Sequence, residues 1–190
     1  NITEVLKETH VRFTSLAKQK GLDFTLQVPE KDFYAHVNQE AFTKIISNLL
    51  NNGMKYAESY VHVMLEAPQR DDNNLFRIRT VNDGVIIPDA MKEEIFKPFV
   101  RFNEQEDGKV TTGTGIGLAL SRSLAEFHLG TLVMEAGEES NIFCLTLPVV
   151  QDTTITLTPE AEVEIERVNE IPAEQAGKKD NRPAVLVVED

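Results

Sequence analysis

Apolar positions recur along this chain of 190 residues with two rhythms, one of three to four residues and one of two. In residues 1–20, Ile2, Val5, Leu6, Phe13, Leu16 and Ala17 fall at mostly helical steps, and Gly21 follows where a helix would stop. Residues 22–28 alternate, with Leu22, Phe24, Leu26 and Val28 on one face of a half-buried strand. Residues 39–56 form the clearest helix, its inner stripe made of Phe42, Ile45, Ile46, Leu49 and Gly53. Residues 60–66 and 75–81 alternate on either side of a polar loop and predict an antiparallel hairpin. Pro88 opens a short helix over 88–96. After a polar stretch at 104–112 comes a glycine-rich run and then a helix with Ile116, Leu120, Leu124 and Phe127 inward, stopped by Gly130. Residues 131–136 and 141–149 make a last hairpin.

These elements predict an α/β two-layer sandwich: a mixed sheet of about five strands with three helices on one face. From Val150 the apolar period is lost and Thr, Glu, Pro, Ala and Gln dominate, so 150–183 reads as an acidic, partly disordered linker, with weak alternation allowing one strand near 160–168. Residues 184–190 are an apolar run closed by Glu189 and Asp190. A net charge of −12 and a pI near 4.8 exclude a broad basic surface for nucleic acid or for a membrane. No apolar run approaches the roughly 18 residues that span a bilayer, and no signal sequence is evident, so a soluble piece is expected; its opening NITEVLKETHVRF and its ending VED read as cut from a longer protein. The single Cys144 allows no intrachain disulfide and reads as a buried strand residue in a reducing compartment.

Two features carry chemistry. At about 100° per residue, Asn48, Asn52 and Lys55 lie within roughly 60° of one another, so two amides and an ammonium can converge on one ligand. Gly113, Gly115 and Gly117 precede an amphipathic helix, where backbone N–H groups and the helix start favour a phosphate. The spacing is neither G-x-G-x-x-G nor G-x-x-x-x-G-K-[ST], and a polar loop rather than a strand precedes it. In so acidic a chain a bound anion must be held locally, with a metal ion's help.

Four segments in order resemble the ATP-binding catalytic domain of sensor histidine kinases, within the superfamily shared with gyrase-type ATPases and Hsp90 chaperones. NLLNNGMKY at 48–56 is similar to the N box, and VNDGVIIP at 81–88 to the first glycine box. IFKPFVRF at 95–102 is similar to the phenylalanine box, and GTGIGLALS at 113–121 to the second glycine box. The resemblance covers about residues 1–149 and implies 1–20 as the end of an upstream dimerisation helix and 21–149 as the catalytic domain. It implies ATP and Mg²⁺ as cofactors, with Asn48 and Asn52 catalytic and Asn52 the Mg²⁺ ligand, an amide oxygen suiting a hard ion. The implied ATP contacts are Lys55, Tyr56, Asn82, Gly84, Ile87 and Arg101, then Gly113, Thr114, Gly115, Ile116, Gly117 and Leu118. Residues 101–112 would form a lid, and Phe96 and Phe99 are expected in the core beneath it.

The first glycine box departs from the family's Asp-x-Gly-x-Gly, with Asn82, Gly84 and Ile86 at those places. The Asn82 oxygen is expected to accept the adenine amino group's hydrogen bond in place of a carboxylate, more weakly. His10, His36, His62 and His128 lack the context of a phosphoacceptor, and His128 suits a helix C-terminus. PAVLVVED at 183–190 resembles the first strand of a receiver domain, with Glu189 and Asp190 as its acidic pair.

The implied protein is therefore the catalytic part of a hybrid two-component histidine kinase, transferring the ATP γ-phosphoryl to a histidine outside this chain. Its partners would be upstream dimerisation helices and a downstream receiver, without nucleic acid or direct membrane contact. The piece would be monomeric, the whole homodimeric, and the site cytoplasmic beneath a membrane-anchored sensor. Two other readings stand beside it: a regulatory scaffold without phosphoryl transfer, and a gyrase- or chaperone-type hydrolase, which would want a carboxylate where Asn48 stands.

Overall fold

The computed structural model describes residues 1–68, 74–102, 114–135, 137 and 139–150, all within one unit, Asn1–Gln151. Helix α1 (Ile2–Lys20) starts where the Asn1 side chain accepts the Glu4 N–H, and ends at Gly21, whose φ of 69° is the left-handed stop that the sequence predicts. Helix α2 (Gln39–Tyr56) is capped by Asn38, whose oxygen accepts the Ala41 N–H. Its predicted stripe is buried throughout, and Leu50 and Met54 widen it. Helix α3 is Gly117–Phe127.

The strands are β1 (Asp23–Gln27), β2 (Tyr60–Glu66), β3 (Leu75–Asn82), β4 (Thr131–Glu135) and β5 (Asn141–Pro148). They form one sheet in the order β1-β2-β3-β5-β4, with β1 parallel to β2 and every other pair antiparallel. The mixed two-layer sandwich of five strands and three helices is thus present. Its core lies between sheet and helices, where Phe42, Ile45, Leu49, Phe76, Ile78 and Leu145 have no solvent exposure. Cys144 is a buried residue of β5, and burial pushes its thiol pKa up. Beside it, Arg79 of β3 donates from Nε to Glu135 of β4 at 2.8 Å and pairs with Glu66 of β2.

Ile2, Leu6 and Ala17 of α1 are buried in the same core as α2. Three expectations need correction. Instead of one helix, 88–96 holds two 3₁₀ turns, Asp89–Met91 and Glu94–Phe96, too short for the continuous face that the spacing implies. In α3 the buried residues are Ser121 and Ala125, while Phe127 and Ile116 are exposed. The small residues face inward because α2 packs closely on that side. The left-handed residue after α3 is Leu129, at φ 56°, and not Gly130.

His128 is fully buried at the end of α3. Its Nε2 accepts the Asn38 N–H at 3.1 Å and its Nδ1 lies 2.6 Å from the Leu124 carbonyl. A backbone donor on one nitrogen and a carbonyl on the other select the Nδ1–H tautomer, so the ring serves as a neutral bridge between α2 and α3 and not as a cation on the helix end.

Candidate functional site

The C-terminal half of α2, the loop leaving β3 and the start of α3 enclose a cavity of about 330 Å³. Helix α2 contributes Asn51, Asn52, Lys55 and Tyr56. Asn82, Val85 and Ile87 come from β3 and its loop, and Ile95, Val100, Arg101 and Phe102 from the aromatic segment. Thr114, Gly115, Gly117 and Leu118 form the α3 side, and Asn141 and Phe143 of β5 close the floor. Of the residues singled out in the sequence, the structure brings together Asn52, Lys55, Tyr56, Asn82, Ile87, Arg101, Thr114, Gly115, Gly117 and Leu118 in this lining. Gly113, the lid residues 103–112, the linker and the pair Glu189 and Asp190 lie outside the described residues.

Asn48 has a different place. Its amide nitrogen donates to Ser121 Oγ at 3.1 Å and to the Gly117 carbonyl at 3.3 Å, and it does not line the cavity. Ser121 also donates to the Gly117 carbonyl, at 2.9 Å. One turn of helix separates Asn48 from Asn52, and that turn carries Asn48 under α3 while Asn52 stays at the rim. Ile116, exposed at the N-cap of α3, also lies off the lining.

The loop after β3 is held by amides. Asn82 and Asn141 sit opposite each other on β3 and β5, and each is 3% exposed. Asn82 Oδ1 accepts the Gly84 N–H at 3.2 Å and the Asn141 amide at 3.4 Å, so the oxygen expected to meet a base is already engaged. Gly84 is required by contact: a Cβ there would lie 2.0 Å from the Tyr56 carbonyl oxygen. The neighbouring Asp83 turns away from the cavity and accepts from the N–H groups of Glu58, Ser59 and Tyr60 and from the Ser59 hydroxyl. Burial alone would raise its carboxyl, but these bonds hold it well below the usual carboxylate range.

The entrance to α3 rests on the aromatic segment. Phe99 N–H donates to the Gly115 carbonyl at 3.0 Å, and both residues have positive φ, 66° and 69°. A Cβ on Gly115 would meet the Phe99 backbone at 2.9 Å, so this glycine is fixed by conformation and contact together. Phe96 is buried as expected, but Phe99 is 74% exposed. Its backbone, not its ring, makes the contact that the fold uses. Arg122 of α3 lies over the Phe96 ring at 3.9 Å and donates to the Leu132 carbonyl and to Glu93. Phe96 in turn meets Phe143 edge-on.

Among the described residues the lining holds two cations, Lys55 and Arg101, and no carboxylate. Lys55 Nζ donates to the Tyr56 hydroxyl at 2.8 Å and lies 4.6 Å from that ring's centre. A basic, amide-rich rim beside the apolar side chains of Ile87, Ile95, Leu118 and Phe143 suits an anion attached to a flat apolar body. No group of three His, Cys, Asp or Glu that could hold a metal occurs among the described residues. The Asn52 amide oxygen is a donor of the kind that Mg²⁺ takes when substrate phosphates and water supply the remaining ligands, so the residues fit that ion.

Of the lining, Asn51, Val85, Ile95, Val100, Phe102, Asn141 and Phe143 are not among the site residues singled out in the sequence, although Val85, Ile95, Val100 and Phe102 lie within its quoted segments. Asn51 is next to a predicted site residue and gives no separate signal, whereas Asn141 and Phe143 enter only because β5 pairs with β3.

A model of the family described as histidine kinase-, DNA gyrase B-, and HSP90-like ATPase matches residues 37–163. The chain is 27% identical over 150 residues to the sensor histidine kinase WalK of Bacillus subtilis (strain 168), covering 75% of this chain and 24% of that protein. It is 28% identical over 148 residues to the sensor protein VanSC of Enterococcus gallinarum, covering 78% and 40%. The chain thus spans less than half the length of either relative. Among solved structures, the catalytic domain of histidine kinase ThkA superposes with a TM-score of 0.69 at 24% identity, covering 80% of this chain and 94% of that one. Full-length ShkA in complex with AMPPNP gives 0.67 at 20% identity, covering 78% and 30%.

Proposed function

The chain belongs to the histidine kinase-, DNA gyrase B- and HSP90-like ATPase family, and on that premise we propose that it is the nucleotide-binding catalytic domain of a hybrid two-component sensor kinase. It transfers the γ-phosphoryl of ATP to a histidine on an upstream helical hairpin, from which a downstream receiver takes it. The observation that carries this reading is the cavity that joins Lys55 and Arg101 to apolar walls, with no carboxylate in the lining among the described residues. Phosphoryl transfer asks a protein mainly for positioning and charge neutralisation, and such a rim can supply both.

In this reading Lys55, Tyr56, Arg101 and the backbone at Thr114, Gly115 and Gly117 hold the phosphates, with Gly113 continuing that run. Asn52 holds Mg²⁺, which neutralises phosphate charge when bound. Asn48 is a positioning residue that sets α3 against α2. The whole protein is a cytoplasmic homodimer beneath a membrane sensor, its dimer contacts lying outside this piece. Residues 150–183 link the domain to a receiver that begins at 184–190, with Glu189 and Asp190 in its acidic cluster. A scaffold that binds nucleotide without transferring phosphate is the second reading, favoured by the engaged oxygen of Asn82.

Calorimetric titration with ADP tests the site. Mg²⁺ should tighten binding by about tenfold, an effect lost in Asn52→Ala. No binding at millimolar ADP or of any other nucleotide would overturn the reading, and binding without transfer to the upstream hairpin in the whole protein would favour the scaffold.

A further inference from the structure

Residues 83–87 carry Val85 and Ile87 into the cavity lining, yet among the described residues no backbone–backbone hydrogen bond holds this loop. The second glycine of the family's box, which could bend the loop through a left-handed φ, is replaced by Ile86, whose φ is not positive. One side chain from the adjacent strand supplies what the loop lacks. Asn141 of β5 is 3% exposed and bonds to the loop at both ends of its amide. Ile87 N–H donates to its Oδ1 at 3.0 Å, which identifies that atom as the oxygen. Its nitrogen then donates to the carbonyls of Val85 at 3.0 Å and Gly84 at 3.2 Å, and to Asn82 Oδ1 at 3.4 Å.

We infer that Asn141 is a positioning residue of the nucleotide site: its amide takes the place of backbone pairing and holds residues 84–87 in the shape that makes Val85 and Ile87 a wall of the cavity. The inference rests on the nucleotide reading above and assigns to that site a residue outside the four boxes. Asn141 and Phe143 are both buried, two positions apart on β5, so the strand that carries the clamp also carries the apolar floor. Without the clamp, the Gly84 and Val85 carbonyls and the Ile87 N–H must turn to water, and the spacing between Ile87 and Phe143 is no longer fixed. A wall that must be ordered at each binding event binds more weakly than one held in place beforehand.

Calorimetric titration with ADP, with and without Mg²⁺, tests this on the unaltered chain, Asn141→Ala, Asn141→Ser and Leu6→Ala. Leu6 is buried in α1 and does not line the cavity, so its truncation destabilises the fold without altering the loop. The Asn141 variants should bind ADP about tenfold more weakly and keep the Mg²⁺ enhancement that belongs to Asn52, while Leu6→Ala should stay within about twofold of the unaltered chain. Asn141 variants that bind as tightly as the unaltered chain overturn the inference, and so does a Leu6→Ala variant weakened as much as they are. Loss of the Mg²⁺ enhancement in the Asn141 variants overturns it too, because the effect then reaches beyond the wall.

Hydrogen exchange on the unaltered chain needs no variant to fold. The Ile87 amide should exchange at least about tenfold more slowly than an unprotected amide, and exchange at the unprotected rate overturns the inference. If the unaltered chain binds no nucleotide, the nucleotide reading fails and this one with it; if it binds ADP and the Asn141 variants bind it equally, only this one fails.

Discussion

Asn48 of α2 and Ser121 of α3 are joined by a 3.1 Å hydrogen bond, and both converge on the Gly117 carbonyl at the first turn of α3. Ser121 is fully buried, so its hydroxyl depends on protein partners. Asn48→Ala should lower stability by about 1–3 kcal/mol with no nucleotide present, because it leaves Ser121 and Gly117 short of a donor. Asn52→Ala, at the cavity rim, should leave stability within about 0.5 kcal/mol. Urea denaturation of the two variants separates a positioning residue from a ligand-facing one.

Gly115 and Gly117 should respond differently to alanine. At Gly115 a positive φ and a Cβ 2.9 Å from the Phe99 backbone together predict a loss of about 1–3 kcal/mol and weaker nucleotide binding. At Gly117 the nearest atom to a Cβ is 3.8 Å away, on Asn48, so alanine fits in the first turn of α3 and the melting temperature should be kept or raised slightly. Thermal melts of the pair decide the matter. Equal destabilisation would mean that the conformation at Gly115 is not what the fold requires.

Asp83 ties the end of β3 to the turn before β2 as a charged acceptor. Because its folded carboxyl lies below the unfolded value, its contribution is complete above the unfolded pKa of about 3.9 and is lost as pH falls toward the folded value. Asp83→Asn should therefore cost about 1 kcal/mol at pH 7, a figure kept small for its partial exposure, and should flatten the decline in stability below about pH 4. Denaturation midpoints across pH 3–7 for both proteins provide the check.

Arg122 spans the Phe96 ring, the Leu132 carbonyl and Glu93, and so braces α3 against the wall of the cavity. Arg122→Ala should cost about 1–2 kcal/mol, through the lost stacking and the unsatisfied carbonyl more than through the exposed ion pair with Glu93. Glu93→Gln should then cost much less. If the two variants lose the same amount, the ion pair is the main contribution.

Much of the layout is written in local periodicity. The stripe from Phe42 to Met54 and the alternation in β2 and β3 arise from neighbours along the chain, and so does the Gly21 stop. Helical angle alone puts Asn48, Asn52 and Lys55 on one strip, and Asn52 and Lys55 line the cavity while Asn48 bonds to α3, because the angle gives a direction but not what lies across from it. The short residues Ser121 and Ala125 outrank Phe127 on the inner face of α3 for the same reason: close approach of α2 decides burial there, not hydrophobicity. The orientation of the Asn82 amide depends on Asn141, 59 positions away, and on register between β3 and β5 that a single strand's pattern does not contain.

Helices α2 and α3 are fastened at two points, Asn48 to Gly117 and Ser121 near one end and Asn38 to His128 at the other. The fastenings are 10 residues apart along α2, about 15 Å at 1.5 Å per residue, and 7 to 11 residues apart along α3. Two pins make a beam, which cannot hinge about either pin while the other holds. Strain that a ligand places at the start of α3 thus has no helix tilt through which to dissipate, and among the described residues it falls on Gly115 and the backbone of Phe99 beneath it.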